Sequence, residues 1–414
     1  MSFKIAADRF ARSYAEDFGR TPLLQNSYLS KEYGAEIYLK REDLSPVRSY
    51  KLRGAYNAMR KVLAENPGQS NFVCASAGNH AQGVAFACQR FGVRGTVFMP
   101  VTTPQQKVMK TQAFGGEFVD IITEGDIFDQ TLAAAQAHCA EIGAHFLAPF
   151  DDPDVIEGQA SVGVEILAQL PGAPDVIILP VGGGGLASGI RKYFSEIGAQ
   201  TEIWLVEPDG APSLAAAMDA GKPSFVEGIS RFVDGAAVAQ IGDQTFEILK
   251  EMPRDHVFAV SEDRLCVTLI DMLNIEGVVL EPAGALSVDA LRDLAPQLAG
   301  KTVVCVTSGG NFDFERLPEV KEKAQKWLGV KKYYILRLPQ RPGALKQFLE
   351  MLGDKDDIVR FEYLKKSARN FGSVLLGIET DAADNFAILE SKLRGSDFDF
   401  QDITKDPLLA EFLI

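Results

Sequence analysis

Residues 176–189 read Val176-Ile177-Ile178-Leu179-Pro180-Val181-Gly182-Gly183-Gly184-Gly185-Leu186-Ala187-Ser188-Gly189, with Ile190-Arg191-Lys192-Tyr193 following. The unbroken apolar run at 176–181 predicts a strand covered on both faces, as in a parallel sheet. The residues after the glycines predict a helix. Strand, glycine loop and helix in succession are the unit of an α/β fold. Four glycines in a row cost backbone entropy, which implies a purpose beyond structure: at a helix N-terminus they let the backbone wrap a phosphate. A second purpose fits the same stretch. Gly182, Gly184 and Ala187 satisfy G-x-G-x-x-G/A, and Glu207 lies about 20 residues on, as a dinucleotide site requires. On this segment alone an NAD-dependent dehydrogenase stays open, although that fingerprint usually opens its domain and this one follows several strands.

Outward from it the same alternation recurs. Apolar runs at 72–75, 96–99, 117–119, 203–206 and 302–306 predict further strands, with helical patterns between them, giving a mainly parallel sheet. Turn formers follow Ala75, Val181, Val206 and Val306, and ligands of open α/β sheets gather at such carboxyl ends. The chain has 414 residues, 46% hydrophobic and 24% charged, the balance of a folded soluble protein of two or three domains. Its 42 basic and 56 acidic side chains leave a net charge of −14, which argues against nucleic acid or an anionic membrane as a partner. No apolar stretch approaches the ~18 residues of a membrane span, and charges interrupt the first residues before any secretory core forms. A cytoplasmic protein is expected. Cys74, Cys88, Cys139, Cys266 and Cys305 form no C-x-x-C pair, so neither a zinc site nor a disulfide framework is supported.

Three more loops are candidates for chemistry. Ser49-Tyr50-Lys51-Leu52-Arg53-Gly54-Ala55 precedes a helical run at 56–59. Lys51 alone reads as a solvated surface lysine, but between Tyr50 and Leu52 it could be desolvated, giving a neutral amine able to form a Schiff base. Ser76-Ala77-Gly78-Asn79-His80-Ala81-Gln82-Gly83 sits between strand and helix, where it can bind an anion or simply cap the helix. His80 reads as a packed histidine, and His138, His145 and His256 join no cluster. Thr307-Ser308-Gly309-Gly310-Asn311 follows the last strand and alone is an ordinary turn.

Taken in order, the four loops resemble one family: the pyridoxal-phosphate enzymes of the tryptophan-synthase-β fold type (fold type II), and within it the threonine dehydratases, or threonine ammonia-lyases. The similarity spans residues 5–325 and includes Lys40-Arg41-Glu42-Asp43 and Glu281-Pro282-Ala283-Gly284-Ala285. It implies a two-lobed α/β core with the smaller lobe within about 50–150, and pyridoxal 5′-phosphate as cofactor. It further implies Lys51 as the Schiff-base lysine and acid/base at Cα. Tyr50 would lie beside the cofactor ring, where the family commonly has phenylalanine, and Asn79 at the 3-hydroxyl. Gly182, Gly183, Gly184, Gly185 and Leu186 would hold the phosphate, and Ser308 would face the pyridine nitrogen, making a weaker electron sink than an aspartate would. Ser76, Ala77, Gly78, Asn79 and His80 would receive the substrate carboxylate. The racemases of the family carry a serine where this chain has Ala77, which favours a dehydratase. Their divalent-cation site has an aspartate where this chain has Ser213, so no metal is expected.

The texture changes near 320. A charged helix at 320–327, a linker at 329–332, then strand, helix, two strands (358–363 and 373–379) and a helical stretch from Ala383 predict a small α+β module. We expect a catalytic domain at 1–328 and a second domain at 329–414. The stretch Leu338-Pro339-Gln340-Arg341-Pro342-Gly343-Ala344-Leu345 resembles the ACT-like regulatory domain of biosynthetic threonine dehydratases. One copy fits, which implies isoleucine as effector, valine opposing it, and a homotetramer. The expected reaction is L-threonine to 2-oxobutanoate and ammonia, opening isoleucine biosynthesis. A serine or threo-3-hydroxyaspartate ammonia-lyase, a dehydrogenase and a catalytically silent amino-acid sensor remain as alternatives.

Overall fold

The structure is a computed structural model that describes residues 2–364 and 371–406; the parts of the expected second domain at 365–370 and 407–414 lie outside them. Fourteen strands lie among the described residues: β1 (Leu23–Gln25), β2 (Glu36–Arg41), β3 (Asn71–Ala75), β4 (Arg94–Met99), β5 (Val119–Thr123), β6 (His145–Phe146), β7 (Val176–Pro180), β8 (Glu202–Pro208), β9 (Val257–Val260), β10 (Thr302–Thr307), β11 (Lys331–Pro339), β12 (Asp357–Leu364), β13 (Phe371–Glu379) and β14 (Asp399–Asp402). The chain forms two compact units, Met1–Phe312 and Asp313–Ile414, so the helix Leu317–Trp327 goes with the second.

The first unit holds two sheets. The larger has the order β1-β2-β10-β7-β8-β9, all parallel except β1, which closes against β2 antiparallel. The smaller, β5-β4-β3-β6, is wholly parallel. Every residue of β7 is buried, as its continuous apolar run requires. Helices Phe3–Phe18, Pro153–Gln169 and Gly185–Glu196 pack on the larger sheet through Ala7, Ile166, Ile190 and Phe194. The helices Lys51–Glu65 and Asn79–Phe91 cover the smaller through Leu52, Met59, Val84 and Cys88. All five cysteines are buried thiols.

Two expectations shift. Residues 116–118 form a 3-10 turn and the strand starts only at Val119, because the helix Gln105–Gly115 must first turn at Gly116, whose φ is 56°. Residues 331–332 belong to β11 rather than a linker. Lys331 pairs across the sheet with Glu379, and its amine holds the Glu379 and Glu322 carboxylates at 2.8 and 2.5 Å.

The second unit is a four-stranded antiparallel sheet, β12-β13-β11-β14, with helices Ala344–Leu349 and Asp384–Arg394 against it. Tyr334, Leu336, Val374 and Leu376 meet Phe348, Phe386 and Leu389 in its core. β14 is an addition to the predicted order. Among the described residues no helix is long and apolar enough to cross a membrane.

Candidate active site

After β2 the chain makes a 3-10 turn at Glu42–Leu44 and reaches Arg48, whose φ of 58° is rare for a side chain with a Cβ. That conformation is held by the loop after β10: the Arg48 carbonyl accepts from the Gly310 N–H at 2.9 Å, and the Tyr50 N–H donates to the Ser308 carbonyl at 3.1 Å. Lys51 then begins the helix Lys51–Glu65. Its Nζ donates to the Pro149 carbonyl at 2.8 Å and lies 5.4 Å from the Tyr50 ring centre and 5.9 Å from that of Phe150. Burial, opposed by the Glu281 carboxyl, brings the Lys51 amine from 10.5 down to about 8. It is therefore a base with a substantial neutral fraction near neutral pH.

Behind the lysine lies an ionic cluster with almost no exposure. Arg53 reaches Glu42 at 2.8 and 2.9 Å and Glu165 at 2.9 Å through each of two nitrogens, while Lys40 reaches Glu165 at 2.6 Å. Two cations and two carboxylates thus tie β2, the lysine helix and the helix Pro153–Gln169 together. Burial pushes the Glu165 carboxyl up, but Arg53 and Lys40 outweigh it and hold it well below the usual range.

The 76–80 loop follows β3. The first N–H groups of the helix Asn79–Phe91 have no intrahelical partner and are available to an anion, although the Gly78 N–H already donates to Ser76 Oγ at 3.2 Å. His80 is buried with Nε2 3.0 Å from the Leu147 carbonyl, and burial together with Lys51 brings it down to about 3. Its ring is a packed, neutral group. Asn79 Nδ2 donates to Glu281 Oε1 at 2.6 Å, and Asn79 Oδ1 accepts from Asn311 Nδ2 at 2.7 Å. Burial and then Asp234 push Glu281 up to about 7, against the Asn79 bond, Lys107 and Lys110. The sequence pointed to neither Glu281 nor Phe150 as site groups; a lone carboxylate ending the run Val278-Val279-Leu280 was the available signal for the first.

The glycine loop runs from β7 into the helix Gly185–Glu196. A Cβ at Gly183 would enter the Phe150 ring, one at Gly182 would meet the Ala236 backbone, and Gly184 has φ 86°. Only glycine leaves that space open. Ser308, 2% exposed, donates to the Ala283 carbonyl at 3.3 Å. Lys51, Tyr50, Asn79, residues 182–186 and Ser308 thus converge on one place at the carboxyl edges of β2, β3, β7 and β10. Glu207 stands apart from any ribose role: its carboxylate accepts from the Leu214 and Ala215 N–H groups at 2.7 and 2.9 Å, and Ser213 Oγ lies 3.4 Å from it. Among the described residues no group of three or more His, Cys, Asp or Glu side chains could hold a metal ion.

Residues 14–309 match the family described as pyridoxal-phosphate dependent enzyme, and residues 322–413 match the C-terminal regulatory domain of threonine dehydratase. The chain is 45% identical over 395 residues to the L-threonine dehydratase biosynthetic IlvA of Bacillus subtilis (strain 168), covering 95% of this chain and 93% of that one. The chain belongs to the biosynthetic threonine dehydratases. It is 44% identical over 399 residues to the Staphylococcus aureus (strain NCTC 8325) enzyme, covering 95% and 94% of the two chains. Among solved structures, the processed threonine deaminase isoform 2 of Solanum lycopersicum aligns with TM-score 0.72 and 35% identity, over 78% of this chain and 93% of that one. The fold is the two-lobed fold type II core with a C-terminal α+β regulatory unit, and the chain is an enzyme of this family.

The residues present fit pyridoxal phosphate. A half-buried amine with a lowered pKa lies 5.4 and 5.9 Å from two aromatic ring centres, and a glycine cradle that a Cβ would fill opens at a helix N-terminus beside it.

Proposed function

We propose that this enzyme converts L-threonine to 2-oxobutanoate and ammonia, the step that opens isoleucine biosynthesis, with pyridoxal phosphate on Lys51. The observation that carries the reading is the Lys51 amine: half-buried, brought down to about 8, and set beside the Tyr50 and Phe150 rings, with the glycine loop against Phe150 and His80 of the 76–80 loop close enough to feel its charge. When bound, the cofactor supplies an electron sink that acidifies the Cα hydrogen of an attached amino acid.

The side chains divide the remaining work. The N–H groups of residues 182–186 would hold the phosphate, Tyr50 would lie beside the ring, Asn79 would bond the 3-oxygen and Ser308 would meet the ring nitrogen. The N–H groups of residues 76–80 take the substrate carboxylate, which turns the Cα–H bond toward Lys51. The Lys51 amine, once displaced by substrate, takes the Cα proton as general base. Loss of the β-hydroxyl with a proton then gives, after release, an enamine that tautomerises to an imine. Water hydrolyses the imine to the oxo acid and ammonia. A neutral Ser308 would not hold a proton on the ring nitrogen as an aspartate would, so the electron sink beside it would be a weaker one.

In this reading the first unit, Met1–Phe312, is catalytic and the second, which takes in the helix before the expected limit at 328, is regulatory, in a homotetramer in the cytoplasm. Isoleucine, with valine opposing it, would act by binding two states of the enzyme with unequal affinity. The test is an absorbance spectrum of the purified protein before and after threonine, with 2-oxobutanoate assayed in the same sample and isoleucine added last. A visible Schiff-base band, lost in Lys51→Ala, and product formation that isoleucine depresses support the whole reading. A colourless protein that stays inactive with added pyridoxal phosphate overturns it.

A further inference from the structure

Asn79 is tied into a longer run of hydrogen bonds whose direction is forced by its ends. Lys110, on the helix Gln105–Gly115, donates from Nζ to Asn311 Oδ1. Asn311 Nδ2 donates to the Val47 carbonyl at 2.9 Å and to Asn79 Oδ1 at 2.7 Å. Asn79 Nδ2 donates to Glu281 Oε1 at 2.6 Å. An ammonium can only donate and a backbone carbonyl can only accept, so Lys110 and Val47 leave one orientation for the Asn311 amide. Asn311 in turn leaves one orientation for the Asn79 amide. Glu281 is the carboxyl that faces Lys51 and Tyr50, so the Asn79 nitrogen lies on the Lys51 side and its oxygen on the Asn311 side.

We propose that Lys110 and Asn311 are positioning residues that act through Asn79, keeping its amide nitrogen turned toward the Lys51 side so that it donates to the cofactor's 3-oxygen. The inference rests on the reading that Asn79 meets that oxygen. Without the Lys110 donor, the Val47 carbonyl alone still holds the Asn311 amide in this orientation, and an Asn311 amide that turns over takes the Asn79 amide with it. A turned Asn79 would present an oxygen to the 3-oxygen and to Glu281, and neither contact would be a hydrogen bond with those groups ionised. Lys110 lies on a small-lobe helix while Asn311 follows β10, so the chain also makes the amide's orientation depend on how the lobes of the first unit meet. Nothing about Lys110 suggested this from sequence, where it is one of two lysines on the helix Gln105–Gly115.

The experiment is made on the holoenzyme of Lys110→Met, Lys110→Arg, Asn79→Ala and the Lys110→Met/Asn79→Ala pair. For each, cofactor stoichiometry, the visible absorbance spectrum across pH, kcat and KM for threonine are read. Removing a hydrogen-bond partner one step behind a functional group typically costs about 10–100-fold, so Lys110→Met is expected to lose about tenfold in kcat with a smaller change in KM. Its spectrum should move in the same direction as that of Asn79→Ala. Lys110→Arg, still donor-only, should restore both. Adding Lys110→Met to Asn79→Ala should change nothing further, because the group it acts through is gone. Asn311→Asp, which can only accept, reverses the middle of the chain and should reproduce Lys110→Met. A folded Lys110→Met with unaltered spectrum and kcat overturns the proposal, as does full additivity in the pair. If Asn79→Ala itself leaves the spectrum unmoved, the assignment of Asn79 to the 3-oxygen is what fails.

Discussion

The Lys51 amine is bonded to the Pro149 carbonyl at 2.8 Å, one residue before the Phe150 ring that fills the space above Gly183. The same short segment thus parks the reactive nitrogen and shapes the glycine cradle. Lys51→Ala removes the group proposed both to carry the cofactor and to move the Cα proton. We expect kcat to fall at least about 10³-fold. Borohydride reduction followed by peptide mass spectrometry should find the cofactor's mass on the Lys51 peptide of the wild type and on no peptide of the variant.

The amine should also betray its environment by its reactivity. With its pKa lowered from 10.5 to about 8, its neutral fraction rises through a far lower pH than that of a solvated lysine. Acetic anhydride labelling of the apoenzyme, read peptide by peptide, is expected to reach half its limiting rate at Lys51 near pH 8. A half-point near that of the exposed lysines would contradict the burial argument.

Gly183→Ala tests the cradle. A methyl there enters the Phe150 ring, which must swing and takes the Pro149 carbonyl with it. Overpacking of this kind costs about 1–3 kcal/mol. The apoenzyme's thermal midpoint should drop modestly, and equilibrium dialysis should show weaker retention of pyridoxal phosphate than in the wild type.

Arg53→Met leaves Glu165 with Lys40 and Glu42 with the Thr21 hydroxyl, two buried carboxylates sharing one cation. Breaking such a cluster costs about 3–5 kcal/mol, to be read from urea denaturation of the apoenzyme. The pH dependence carries the same signature. Glu165 has its folded pKa depressed, so its contribution is present above the unfolded value of 4.5 and is lost as pH falls through the folded one. The wild type should therefore lose stability on acidification more steeply than the variant.

Ser213→Asp sets a second carboxylate beside Glu207, 3.4 Å from the present hydroxyl. Burial already pushes Glu207 up to about 7, against the Leu214 and Ala215 amides. A folded pKa above the unfolded 4.5 means that this group favours the fold most below 4.5 and loses that contribution as pH rises through about 7. A neighbouring carboxylate deepens the loss. Thermal denaturation should show the variant destabilised most above neutral pH, and oxygen-seeking divalent cations restoring it while leaving the wild type unmoved.

Much of this was legible because parallel strands buried on both faces announce themselves as apolar runs: β3, β4, β7, β8 and β10 stand where those runs lie. The four loops could be read for the same reason, since each follows such a strand or opens a helix. What stayed hidden depends on contacts across long sequence separations. Asn79 and Glu281 are 202 residues apart, and Arg53 and Glu165 are 112 apart. Charges such as Lys40, Glu42 and Arg53 look solvated in a sequence; only folding reveals that they neutralise one another. β6, with two residues, is too short to leave a pattern, and β14 (Asp399–Asp402) is mostly exposed and carries too few apolar residues to show one.

The order of the larger sheet bears on how the protein comes into being. β10, which lies between β2 and β7, is the last strand of that sheet to be synthesised, and the Ser308–Asn311 segment that braces Arg48, Tyr50 and Asn79 follows it directly. A nascent chain on the ribosome can complete the small β5-β4-β3-β6 sheet early, but β2 and β7 wait with open edges until residue 307 has emerged. For most of its synthesis the large lobe thus depends on a strand that does not yet exist.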